Sequence, residues 1–472
     1  MTTDYDAVIV GSGPNGLAAA ITLAEAGCSV LVIEARERVG GGTRTEELTL
    51  PGFQHDICSA IHPLAIASPF FKGLDLTRYG LEWIQPQAQV AHPLSDGDAV
   101  IIEHDIDATA RTLGADADRY RQLIGALRDH QDELLHDFLA PLKIPRYPVV
   151  FGLFGLMAIL PASTFARLAF REDRTQAMFA GMAAHSIQAL ENPATAAFGL
   201  MLLMLTHKAG WGMAKGGSHA ITRAMAQHLE ALGGTIITGT TVQSLDDIPS
   251  SRRVIFNLTP RQILSIAGDA LPAGYRRRMA RYRYGAGVFK IDYALSEPVP
   301  WRNPAVARAG TVHIGGTLSE IAQSERLCVS GIHSDAPYVL IAQHSLFDDT
   351  RAPQDKHTLW AYCHVPHGST RDMTEVIERQ IEQHAPGFRD VVLARHTMNT
   401  VAMERYNPNY IGGDINGGIQ DLTQLFTRPV ARLSPYSTPN PRLFIASSSV
   451  PPGGGVHGMG GYHCAQAILR TL

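Results

Sequence analysis

Residues 8 to 16 read Val-Ile-Val-Gly-Ser-Gly-Pro-Asn-Gly, a G-x-G-x-x-G spacing directly behind an apolar run. Gly11 permits a tight turn, Gly13 lets the backbone approach a pyrophosphate, and Gly16 allows close packing of a following helix. Ser12, Pro14 and Asn15 complete the loop, whose free N–H groups lie at the positive end of that helix and favour phosphate. Glu34 stands 18 residues beyond Gly16. There a carboxylate can accept both hydroxyls of an adenosine ribose, so the constellation predicts a dinucleotide site. Two more glycine clusters have phosphate-sized loops: Gly40-Gly41-Gly42 ahead of Thr43 and Arg44, and the run from Gly453 to Gly461 before the last predicted helix. For proton chemistry the candidates are Lys290, His457 and Tyr462. Lys290 shares one face of an alternating strand with Asp292, and a histidine in a glycine loop could exchange protons near neutral pH. His364 and His367 have a metal-like spacing but no third ligand at a typical structural distance, so no metal site is expected.

Positioning these residues requires two kinds of unit. Strand 7–10, helix 15–25 ending at Gly27, and strand 29–33 form a βαβ step. Helix 218–232, closed by Gly233 and Gly234, leads into strand 235–238 and resembles more of the same sheet. Strand 443–446 and a helix from 459 to 472 end the chain. Strands dominate from Gly287 onward, at 287–295, 311–314, 338–343, 358–364 and 391–398, with an amphipathic helix at 374–384. The fold class is therefore α/β: a discontinuous Rossmann-like dinucleotide domain (1–90, 215–285 and 430–472) with a second, α+β substrate domain. That second domain combines a helical insertion (91–214) with an antiparallel sheet (286–429).

The run Glu34-Ala35-Arg36-Glu37-Arg38-Val39-Gly40-Gly41-Gly42-Thr43-Arg44-Thr45 resembles the extended fingerprint of FAD-dependent amine oxidases and phytoene-desaturase-like proteins. The resemblance implies FAD as cofactor, with Gly41, Gly42, Thr43 and Arg44 along its diphosphate. Gly455, Val456 and His457 would meet the flavin in the family's closing glycine motif, and Val242 would touch the adenine through its backbone. The segment from Asn257 to Pro260 resembles the one that returns beneath the cofactor. A lysine in the position of Lys290 would hold a water near the reactive flavin nitrogen. Ser447-Ser448-Ser449 stands where many members have an acidic residue, which leaves the ribitol contact unassigned. Only eleven residues separate Val242 from Val254, so the usual meander there should shrink to a single turn. The nearest group is that of pyridine nucleotide-disulfide oxidoreductase domain-containing proteins, although no C-x-x-C is present to support the disulfide part of that name.

The resemblance implies an FAD-dependent oxidoreductase that dehydrogenates a lipophilic, isoprenoid or polyene substrate. A flavin amine oxidase and a non-catalytic flavoprotein or lipid-binding protein are the alternatives. Composition narrows the partners further. With 40 Lys and Arg against 44 Asp and Glu, the net charge of -4 argues against nucleic acid. Five scattered cysteines indicate a reducing compartment, and the short stretch before the first apolar run leaves no room for a cleavable signal. The expected location is the cytoplasm, peripheral on a membrane, or the mitochondrion in a eukaryote. A homodimer is a further expectation. Two uncharged tracts, 149–160 and 194–205, suit either a greasy pocket with monotopic membrane contact or the core of a helical subdomain. Neither reaches the roughly 20 residues that a bilayer-crossing helix needs.

Overall fold

The computed structural model describes residues 4–471. The expected end of the last helix at Leu472 lies outside them. Five parallel strands form the first sheet, in the order Leu443–Ile445, Ser251–Phe256, Tyr5–Val10, Val30–Ile33, Thr235–Ile237. Val8, Val32 and Ile255 have no exposed surface, as expected for near-continuous apolar strands covered on both faces. Helix Pro14–Glu25 begins with proline, whose missing N–H costs nothing at a helix start. Between Val242 and Val254 the chain makes one tight helical turn, Leu245–Asp247, with Ser244 and Asp247 capping each other. The terminal helix Met459–Leu469 packs against Pro14–Glu25. Gly461 makes this possible, because a Cβ there would lie 1.8 Å from the Asn15 carbonyl oxygen.

The second sheet has seven strands, in the order Val392–Met398, Gly287–Leu295, His357–Val365, Val339–Ala342, Ala309–Ile314, Ala88–Pro93, Ala99–Ile102. Its neighbours are antiparallel except Ala309–Ile314 and Ala88–Pro93. The last two strands correct the expectation of a helical insertion starting at residue 91. The boundary falls inside a strand, and helices begin only at Ile106. The missed signal is the turn Ser95-Asp96-Gly97-Asp98 between two short apolar runs, with Gly97 at φ +89°.

Alternation along this sheet decides which side chains reach the site. Phe289, Ile291, Tyr293 and Ile341 pack on the outer core with Ile377 and Ile381 of helix Thr374–His384. Lys290, Asp292, Leu340, Trp360 and Tyr362 therefore face the first domain. A buried ion pair joins the two units: Asp56 meets Arg351 at 2.8 Å and also accepts from the Thr45 hydroxyl and the Ser218 N–H. The Arg351 guanidinium, the largest favourable influence against the cost of burial, holds the Asp56 carboxyl well below the usual carboxylate range. The two apolar tracts part company. Helix Ala196–Thr206 is core, whereas helix Pro148–Ala158 buries little more than Phe154 and Ala158.

Candidate functional site

A cavity of about 420 Å³ lies between the two sheets. Its first wall is assembled from all three glycine clusters. Gly41, at φ +57°, sits so close to Gly13 that a Cβ on it would come within 2.9 Å of the Gly13 Cα. The two loops thus touch backbone to backbone along one groove. Beneath them Asn257, with its amide oxygen toward the turn, accepts from the N–H groups of Gly13 and Gly16 at 3.2 Å each. Gly16 itself has no room for a side chain, since a Cβ would fall 2.1 Å from the Gly11 carbonyl oxygen.

Glu34 closes this wall. One carboxylate oxygen accepts from the Ser12 N–H at 3.0 Å and from its hydroxyl at 2.5 Å. The other takes the Arg36 N–H at 2.9 Å and the Arg44 guanidinium at 3.0 Å. Arg44 also donates to the carbonyls of Arg38 and Gly41 and lies 5.7 Å from the Tyr406 ring. It fixes the second glycine loop onto the acid that ends the second strand. Thr43 braces the same loop through the Gly40 carbonyl and Thr222. Ala35, Thr240 to Val242, Ser447, Ser448, Gly455 and Val456 complete the wall.

The opposite wall contains residues that sequence reasoning did not assign to the site, Trp211, Thr311, Leu340, Trp360, Tyr362 and His185, together with Leu202 of the tract 194–205. Trp211 donates its indole N–H to the Thr311 hydroxyl at 2.9 Å, and Trp360 meets Tyr362 edge-on at 5.1 Å. The turn at Asn407 to Tyr410 also lines the cavity. His185 pairs with His313 at 3.1 Å, and burial lowers its pKa to about 3. His62, bonded to Ser59 at 3.1 Å, is lowered to about 4 for the same reason. Both are neutral at physiological pH and too weakly basic there to act as efficient proton acceptors. Glu34 is the one carboxylate among the described lining residues, so the distal wall carries no formal charge.

The three expected proton-handling residues stand behind this lining. Lys290 is buried, ion-paired with Asp292 and 5.7 Å from the Trp360 ring; burial pushes its ammonium below the ordinary value, against the pull of Asp292. His457 is turned into the protein, where its Nδ1 accepts the Met459 N–H at 3.0 Å and so caps the terminal helix. Burial lowers its pKa to about 4, which keeps that nitrogen free to accept. Tyr462 packs on Phe70 and His463. His364 and His367 take separate partners, Glu325 and the Gly285 carbonyl.

Comparison with known proteins agrees with this architecture. The model for an NAD(P)-binding Rossmann-like domain matches residues 9–72. The chain is 25% identical to pyridine nucleotide-disulfide oxidoreductase domain-containing protein 2 of Mus musculus, over 99% of this chain and 94% of the mouse protein. It is 29% identical to hydroxyneurosporene desaturase of Cereibacter sphaeroides, over 47% of this chain and 46% of that one. Among solved structures, cyclohexylamine oxidase from Brevibacterium oxydans IH-35A superposes with a TM-score of 0.62 at 16% identity, covering 99% of both chains. The fold is that of this solved oxidoreductase, with a Rossmann-type dinucleotide domain. The chain is thus similar to proteins named as oxidoreductases, a desaturase among them.

Proposed function

We propose that the cavity holds FAD along its glycine wall and a lipophilic substrate against its uncharged distal wall, and that the enzyme dehydrogenates that substrate. The fit to FAD rests on the cradle itself: Gly13 and Gly41 leave a groove that side chains would fill, at the start of helix Pro14–Glu25. Gly42 adds to it, since a Cβ there would lie 2.5 Å from the Tyr410 hydroxyl. Glu34 would take the ribose, residues 11–15 and 41–44 the diphosphate, Val242 the adenine and Gly455 and Val456 the flavin edge. When bound, FAD supplies the acceptor for a hydride. The residues of this chain bind and orient. Trp211, Leu340, Trp360 and Tyr362 exclude water, and the neutral His185 and His62 offer hydrogen bonds in place of a strong base.

The observation that carries the substrate class is the absence of formal charge on the distal wall among the described lining residues. A relative named as a desaturase supports it. One observation favours the second reading, an amine oxidase: Trp211, Trp360 and Tyr362 present aromatic surface that could receive an amine. Anaerobic titration of the purified, flavin-loaded protein with a polyene and with aliphatic amines separates these readings. Bleaching of the flavin by the polyene alone is expected. Bleaching by amines alone would establish the amine oxidase, and no bleaching by any donor would favour a non-catalytic flavoprotein. Protein that takes up no FAD would overturn the cofactor assignment.

A further inference from the structure

We propose that the surface running from Leu142 to Leu168 docks the protein on an anionic lipid bilayer and inserts its apolar side chains to monotopic depth. The proposal goes beyond the reaction above and stands whichever substrate the cavity accepts. On helix Pro148–Ala158, Phe154 and Ala158 face inward, while Val149, Leu153 and Leu156 are 72%, 61% and 71% exposed. Ile144 before the helix is 91% exposed, and Leu168 on the next helix, Ala162–Ala169, is 74% exposed. Gly152 and Gly155 open onto free space on the same element. Scattered single apolar residues on a surface need no explanation, but a contiguous cluster on two consecutive helices marks an interaction site.

Charge identifies the occupant. No Asp or Glu occurs from residue 138 to residue 171, while Lys143, Arg146, Arg167 and Arg171 all do, and all four are exposed. Arg146, Arg167 and Arg171 have no carboxylate partner among the described residues. A second copy docked on this face about a twofold axis would bring like charges together, whereas an anionic membrane complements an apolar face rimmed by cations. Geometry limits the depth. Among the described residues no single helix is long and apolar enough to cross a membrane, and the two helices here bend by 100° at their break. An 11-residue helix extends only about 16 Å, half of a hydrocarbon core, so the pair lies in the interface. The docking helix packs on Ala196–Thr206, whose Leu202 lines the cavity, so membrane contact would fall next to the wall of the site.

Vesicle sedimentation of the full-length, cofactor-loaded protein tests this, using phosphatidylcholine vesicles with and without phosphatidylglycerol. Binding to the mixed vesicles is expected to exceed binding to pure phosphatidylcholine by about tenfold. The double variant Leu153→Ser, Leu156→Ser should lose about tenfold in affinity while keeping its circular dichroism and bound cofactor, since both positions are exposed. Arg167→Glu should weaken only the dependence on phosphatidylglycerol. Three results would overturn the proposal: no sedimentation with either vesicle, binding that ignores the serine substitutions, or a solution dimer that those substitutions dissociate.

Discussion

At the scale of single residues, the site depends on positions where a side chain is forbidden as much as on positions where one is required. Gly41 combines a left-handed φ of +57° with a backbone contact to Gly13, so Gly41→Ala meets both strain and collision. The expected outcome is a folded protein that purifies without the proposed FAD, read from the visible absorbance relative to the protein absorbance. Retention of full colour would detach the second loop from the site. Lys290 gives a different kind of prediction. Removing one partner of a buried ion pair leaves the other uncompensated, so Lys290→Met should lower stability by about 3 kcal/mol. Adding Asp292→Asn should restore most of that loss, as judged by denaturant melts of both variants. A single variant as stable as the parent would show that the pair contributes nothing to the fold. Slowed flavin reduction in the stable double variant would then report on the Lys290–Asp292 pair rather than on a damaged structure. Glycines and Glu34 were legible in the sequence because each answers a local requirement of turn, helix start or ribose. Trp211, Thr311 and Trp360 were not, since they converge only after strands far apart in the chain have paired.

At the scale of elements, the two ends of the chain are held together by helix Pro14–Glu25 and helix Met459–Leu469. With a Cβ on Gly461 placed 1.8 Å from a backbone carbonyl, neither helix can yield without separating from the other. Gly461→Val should therefore cost about 3 kcal/mol and release the cofactor as the third glycine loop shifts, both measurable by thermal melts followed in the visible band. Unchanged melting and colour would mean that the loop is positioned by something other than this packing. The element-level reading of the sequence placed nine strands within about two residues, from apolar runs bounded by turn residues, but not Ser251–Phe256, an interior strand of the first sheet. It also missed Ala88–Pro93 and Ala99–Ile102, two short strands at the edge it drew for the helical insertion. Their membership in the second sheet depends on the parallel pairing with Ala309–Ile314, more than two hundred residues away. Conversely, the tracts 149–160 and 194–205 look alike as sequences and differ only in what packs on them. Composition could not separate the exposed helix from the buried one.

At the scale of the whole molecule, burial of histidine sets a pH limit on stability. His55, His62, His92, His207, His457 and His463 are each lowered to about 4, with burial as the first cause. His185 and His344 are lowered to about 3, again by burial. The unfolded chain takes up protons on these imidazoles near pH 6.5, while the folded chain refuses them until about pH 4. Over that interval the unfolded state binds more protons, so stability falls as pH falls, by about 1.4 kcal/mol per pH unit for each group that behaves this way. Asp56, whose carboxyl is lowered, adds to the loss only below its ordinary value near 3.8. A melting temperature that is level above pH 7 and drops steeply from pH 6.5 toward pH 4 is expected, ahead of the range in which carboxylates protonate. Substituting His463 by Asn should make the drop shallower by about one proton. A level melting temperature from pH 7 to pH 5 would mean that these imidazoles protonate within the folded protein. The neutral character assigned to His185 and His62 beside the cavity would then fail with it, and the cavity would lose one of its grounds for favouring an apolar substrate.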